Sequence, residues 1–277
     1  MTDHRSTHGS TDRTTDRVQQ IVVTVSYLVC LIGSMIGVGV FGGTPIAEAA
    51  GGALAADATL LAPASGAFSV WTVVYLGLAG YTVLQWFPAP ASAARQRRLR
   101  LPVAGTMLLN AAWILVVQAG WLWLSVAVIV VLLGLLSRVF VILLRSRPDG
   151  LLERVLVDGS LGIYLGWVCV ATAANVAAAL TGSGFDGAGI DPDWWAVGVL
   201  AVVGVIGVAL AARSQGRIAV AAAITWGLAW IAVARWDGMP SSVPTAVAAT
   251  TVAVVVLGVT LALRVHAAAR EPRQAGG

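Results

Sequence analysis

Lysine is absent from this chain, and charge of either sign is scarce. Only 11% of its 277 residues are charged, where a water-covered domain carries about a quarter. A surface with so little charge faces something other than water. Histidine is nearly missing too. Two of the three sit at positions 4 and 8, where they read as solvated tail residues rather than metal ligands. The two cysteines, Cys30 and Cys169, lie inside apolar runs, which excludes a disulfide framework and leaves small buried thiols. There is no CxxC motif, no Gly-rich phosphate loop, no nucleophile–base pair and no metal-ligand cluster. With so few ionisable groups at depth, a hydrolase or metal enzyme is not expected, nor a required cofactor.

What the chain does have is apolar residues in long runs. They make up 58% of it, with a mean hydropathy of +0.86, and they fall in stretches of about 20, the length that crosses a bilayer as helix. The stretches are Ile21–Gly42, Phe68–Phe87, Leu101–Ala119, Trp121–Leu144, Leu156–Leu180, Trp194–Ala212, Arg217–Ala234 and Thr245–His266. The two-residue alternation of a barrel strand is missing. The expected fold is an all-α integral membrane protein of about eight transmembrane helices, the third and fourth joined as a tight hairpin at Gly120.

All 17 basic residues are arginine, and their placement orients the helices. Arg5, Arg13 and Arg17 precede the first span, Arg95, Arg97, Arg98 and Arg100 follow the second, and Arg145, Arg147 and Arg154 follow the fourth. Arg213 and Arg217 follow the sixth, and Arg264, Arg270 and Arg273 follow the eighth. The alternate loops carry Glu48, Asp57, Asp186, Asp191, Asp193 and Asp237, with Arg235 the one basic exception. This positive-inside pattern predicts a multi-pass cell-membrane protein with N- and C-termini cytoplasmic. Arginines spread over every second loop, instead of gathered on one patch, argue against nucleic acid as a partner. Arg138 and Asp158 lie near the cytoplasmic ends of their spans. They read as snorkelling to the interface, with a mutual ion pair as the alternative. Residues 1–19 are polar and read as a disordered tail, with a second tail at 267–277.

Eleven tryptophans complete the picture. Trp86, Trp121, Trp123, Trp194, Trp195 and Trp236 sit at span ends, as an interfacial belt does. Trp71, Trp113, Trp167, Trp226 and Trp230 lie deeper. Helical spacing puts Trp71 on one face with Tyr75, Asn110 with Trp113, and Tyr164 with Trp167 and Asn175. Polar groups at such depth need partners or a cavity, so these faces are either interhelical hydrogen-bond glue or a ligand pocket. Spacing alone favours glue. Gly33 with Gly37, and Gly162 with Gly166, are small-xxx-small pairs that permit close helix approach, although matches of this kind arise by chance among 31 glycines.

Three segments taken together resemble a known family. The second span reads Phe68-Ser69-Val70-Trp71-Thr72-Val73-Val74-Tyr75, and the third carries Leu109-Asn110-Ala111-Ala112-Trp113. The fifth reads Tyr164-Leu165-Gly166-Trp167, followed by Ala171-Thr172 and Asn175. In this order, with a long first loop, they are similar to the tryptophan-rich sensory protein family, TspO and the translocator protein. The resemblance covers about residues 20–181. It implies a five-helix transmembrane bundle there, with residues 182–266 as three additional helices that have no counterpart in the five-helix pattern. It also implies a membrane sensor or regulator that binds a hydrophobic, porphyrin- or haem-type molecule, and a homodimer as an allowed assembly besides the lipid bilayer. Carried over residue by residue, it assigns Trp71, Tyr75, Asn110, Trp113, Tyr164, Trp167, Ala171 and Asn175 to the pocket. One departure stands out: the proline- and tryptophan-bearing elements of the family's first loop are reduced to Pro45 and Pro63. A small-molecule transporter and a non-catalytic scaffold are the competing functions.

Overall fold

The computed structural model describes residues 5–40, 44–46 and 48–274. His4 lies outside them, and of His8 only the backbone is described. Eight long helices account for most of the chain: α1 Arg5–Gly37, α2 Ser65–Leu84, α3 Ala94–Gln118, α4 Leu122–Leu144, α5 Gly150–Gly182, α6 Pro192–Arg213, α7 Ile218–Trp236 and α8 Val243–Gln274. All eight hold a stretch long and apolar enough to cross a membrane, and no strand occurs among the described residues. This is the all-α membrane architecture that the apolar runs predict. In hydrocarbon every backbone group must bond within its own segment, which an uninterrupted helix achieves.

Several helices outrun the apolar stretches that announce them. α1 begins at Arg5, inside the segment whose composition reads as a disordered tail, and α3 begins at Ala94, ahead of Leu101. Pairing accounts for the turns from Asp16 onward in α1 and from Arg95 onward in α3. Asp16 accepts two hydrogen bonds from Arg97, at 2.8 and 2.6 Å, and one from Arg100 at 2.7 Å. Gln20 donates to the Gln85 carbonyl at 2.6 Å. Arg100 also donates to Gln85, which donates in turn to Gln96, and Gln96 donates to Glu153. Arg95 bonds Asp158 and lies 2.9 Å from Glu153, while Arg217 reaches Asp158 at 3.3 Å and the Leu143 carbonyl at 3.0 Å. Charged turns can therefore stay helical and buried at this end, because each charge meets an opposite charge or an amide. Asp158 sits in a π-helical stretch, Arg154–Gly159, at the start of α5. The Arg138–Asp158 pair does not form: Asp158 is held by Arg95 and Arg217, and Arg138 is exposed.

Helices α1, α2, α5, α4 and α3 pack in that cyclic order around a core that includes Leu78, Met107, Leu132, Leu161 and Val168. Helix α7 packs on the outer side of α5, and α6 and α8 pack against α7 and each other. Lipid tails are as apolar as leucine, so close fit rather than water exclusion holds such helices together. The two glycine pairs supply that fit. A methyl group on Gly33 would sit 3.1 Å from the Ala111 Cβ of α3, and one on Gly166 would sit 2.3 Å from the Val220 carbonyl oxygen of α7. The six tryptophans at helix ends are exposed, as a belt at headgroup depth requires. Cys30 and Cys169 are free and buried.

Candidate functional site

At the end of the bundle opposite the arginine cluster, the connection from α1 to α2 folds back over the helices. Its path needs left-handed backbone at Ala50, Gly51 and Gly52, with φ of 52°, 68° and 79°. The two glycines adopt this readily, while Ala50 bears some strain. The turn brings Ala53, Leu54, Thr59, Ala62 and Pro63 down over Phe68 of α2, Trp113 of α3 and Trp167, Val170, Ala171, Ala174 and Asn175 of α5. A cavity with a free volume of about 40 Å³ remains between loop and helices, enough for a few water molecules.

The eight residues singled out in the sequence divide between this cavity and the layer beneath it. Trp113, Trp167, Ala171 and Asn175 line the cavity. Trp71, Tyr75, Asn110 and Tyr164 do not. They build a platform under it, in which Trp71 stacks on Tyr75 with ring centroids 5.3 Å apart and meets Tyr164 and Trp167 edge-on at 5.8 and 6.2 Å. Such aromatic pairs fix ring orientation beyond mere contact. Phe68 completes the cluster, edge-on to Trp167 at 5.9 Å.

The polar groups answer the choice between glue and pocket. Asn110 donates to the Tyr75 hydroxyl at 3.0 Å and to Cys30 Sγ at 3.4 Å, and the Tyr164 hydroxyl donates to the Thr106 carbonyl at 3.2 Å. The Asn175 carbonyl oxygen accepts from Trp113 Nε1 at 3.1 Å, and its amide donates to Ser125 Oγ at 2.9 Å. The amides and phenols thus join α1, α2, α3, α4 and α5 to one another. They are glue, and they hold the pocket walls. Two groups on cavity-lining residues are left over: the indole N–H of Trp167 and the hydroxyl of Thr59 are buried with no partner in the protein. Buried donors are normally satisfied, so these two are exceptions. Among the described residues no group of three or more His, Cys, Asp or Glu side chains could hold a metal.

Pro63 apart, sequence reasoning passed over the loop residues of the cavity, because a small-residue loop has no periodicity to read. It also left Trp226 and Trp230 of α7 without a role. Trp226 Nε1 donates to the Ala67 carbonyl at 3.0 Å, the Ala64 N–H donates to the Trp230 carbonyl at 3.1 Å, and the Trp230 ring lies against Gly66. Arg235, the one basic residue in the otherwise acidic set of loops, is buried and bonded to the same connection.

No curated protein and no solved structure matches the chain. A family model does match, over residues 20–263, described as TSPO-like protein. The match runs past residue 181, where the resemblance read from the motifs ended, and takes in α6, α7 and most of α8. With the aromatic platform, the amide network and the covered cavity in place on an eight-helix membrane fold, the conclusion is that the chain belongs to the TSPO-like protein family.

Proposed function

We propose that the protein is a membrane sensor or regulator that binds a flat, hydrophobic small molecule, porphyrin-like in character, in the cavity beneath the first loop. The observation that carries this reading is the unpartnered indole N–H of Trp167 in the wall of an otherwise apolar, aromatic cavity. A site of that kind suits a ligand with a large π-face and an acceptor atom at its edge. Apart from the Thr59 hydroxyl, the side-chain polar groups of the rest of the wall are bonded within the protein, so it offers mainly shape and stacking. In this reading the loop moves aside as a porphyrin enters, because it packs across the aromatic floor of the cavity. In this proposal the arginine-rich end and both termini face the cytoplasm, and the loop-covered cavity opens toward the other side.

Titrating protoporphyrin IX into the detergent-solubilised protein tests the reading through the shift of the porphyrin absorption band. Wild-type protein should saturate, and Trp167→Phe, which keeps an aromatic ring but removes the N–H, should weaken binding about tenfold, the equivalent of one buried hydrogen bond. Equal affinity of the two proteins would count against this site. Uptake of the compound into proteoliposomes would instead favour a transporter.

A further inference from the structure

Helix α7 carries a buried cation with an unusual set of partners. Arg235 is 1% exposed, and its hydrogen bonds all go to main-chain carbonyls. Nη1 donates to Thr59 at 3.1 Å and Pro240 at 2.9 Å, and Nη2 donates to Ala56 at 2.6 Å and Met239 at 3.4 Å. Thr59 and Ala56 belong to the loop over the cavity, and Thr59 lines the cavity itself. Arginine's planar fork suits such work, since one rigid group can hold several acceptors at once. Its Nε has no partner. Two further ties run from the same helix to the same segment. They are the Trp226 indole bond to Ala67 and the Ala64 amide bond to Trp230. The close contact of Gly162 and Gly166 with Ala219, Val220 and Ala223 fastens α7 to α5, the helix that contributes more of the cavity wall than any other helix.

We infer that α7 is the latch that holds the first loop shut over the cavity, with Arg235 as the positioning residue that grips it. One end of the latch is fixed to the pocket helix through the glycine pair, and the other is fixed to the loop through its carbonyls. In this arrangement, lifting residues 56–59 of the loop away from the cavity breaks the bonds of the Ala56 and Thr59 carbonyls to the guanidinium. The inference takes the cavity to be a ligand site and so rests on the reading above, but its first test needs no ligand.

That test uses the full chain in detergent with Cys169→Ala and Ala171→Cys, which place a thiol in the cavity wall while native Cys30, 0% exposed in α1, serves as an internal control. Labelling by N-ethylmaleimide is followed at each cysteine by mass spectrometry. Adding Arg235→Met, which keeps the aliphatic stem and removes every donor, should speed labelling at position 171 by at least about tenfold and leave Cys30 as slow as before. Arg235→Lys should restore part of the protection, because one ammonium can reach fewer carbonyls. Unchanged labelling at 171 overturns the latch, and so does an equal rise at both cysteines, which would mean general loosening. If Arg235→Met does not fold, Trp226→Phe deletes a single tie and should still raise labelling at 171 by about threefold, with no rise counting against the inference. Protoporphyrin IX then separates the two proposals. A latch predicts association and dissociation rates that increase together in Arg235→Met, whereas absence of binding in every form would refute the ligand and leave the thiol result standing.

Discussion

A single methyl group placed at different glycines should change stability with opposite sign, and the structure says where. At Gly166 an added Cβ would lie 2.3 Å from the Val220 carbonyl oxygen and 2.9 Å from the Ala223 Cβ. Ordinary contact begins near 3.4 Å, so Gly166→Ala must move α7 off α5 by roughly 1 Å, against a backbone atom that has no rotamer to yield. Overpacking of this kind costs about 1–3 kcal/mol, and in lipid there is no compensating gain from water exclusion. At Gly134 of α4 and Gly198 of α6 nothing lies within 4 Å of the added Cβ. There Gly→Ala should be neutral or stabilise by up to about 1 kcal/mol, through the better helix propensity of alanine. Unfolding by sodium dodecyl sulfate in mixed micelles, followed by circular dichroism, measures all three variants against wild type. Equal effects at the three positions would refute the close approach of α5 and α7. Because α7 also ties down the loop, Gly166→Ala should in addition open the cavity to the thiol reagent.

Other changes follow the same bonds. Asp158→Asn removes the negative partner of Arg95 and Arg217 and should cost about 3 kcal/mol, toward the lower end for a broken buried pair, because Glu153 still neighbours Arg95. Arg138→Gln, at an exposed site, should stay within about 0.5 kcal/mol of wild type in the same unfolding assay. Asn175→Leu strands the Trp113 N–H and takes a partner from Ser125. It should destabilise by about 1–3 kcal/mol and blue-shift the indole emission of a variant in which Trp113 is the chief reporter. Tyr164→Phe loses one bond, to the Thr106 carbonyl, and should cost about 0.6 kcal/mol, the usual worth of such a bond in a membrane bundle.

The apolar runs were enough to number the helices, because a bilayer imposes one length on whatever crosses it and composition alone reveals that length. Charge set their boundaries less well. Asp16, Arg95 and Glu153 look like solvent-facing residues in a linear reading, yet each is folded into a helix end by a partner that lies far away in the chain. Helical spacing put Asn110 on one face with Trp113 and Tyr164 with Trp167 and Asn175, and the family resemblance added Ala171; of these, Trp113, Trp167, Ala171 and Asn175 line the cavity. The same spacing gave Trp71, Tyr75, Asn110 and Tyr164 an equal claim, and only the depth of each along its helix separates wall from platform. Periodicity fixes a face and says nothing of depth. The long first loop was legible, but the contacts that hold it over the cavity, and the latch role inferred for Arg235, were not. What joins Arg235 to Ala56 and Thr59 is a hydrogen bond to main-chain carbonyls, groups that every residue carries and no motif records. Eight helices could be counted from the sequence, then, but which of them packs against the cavity-lining α5 was decided by the tertiary structure, where two glycines are small enough to let α7 approach.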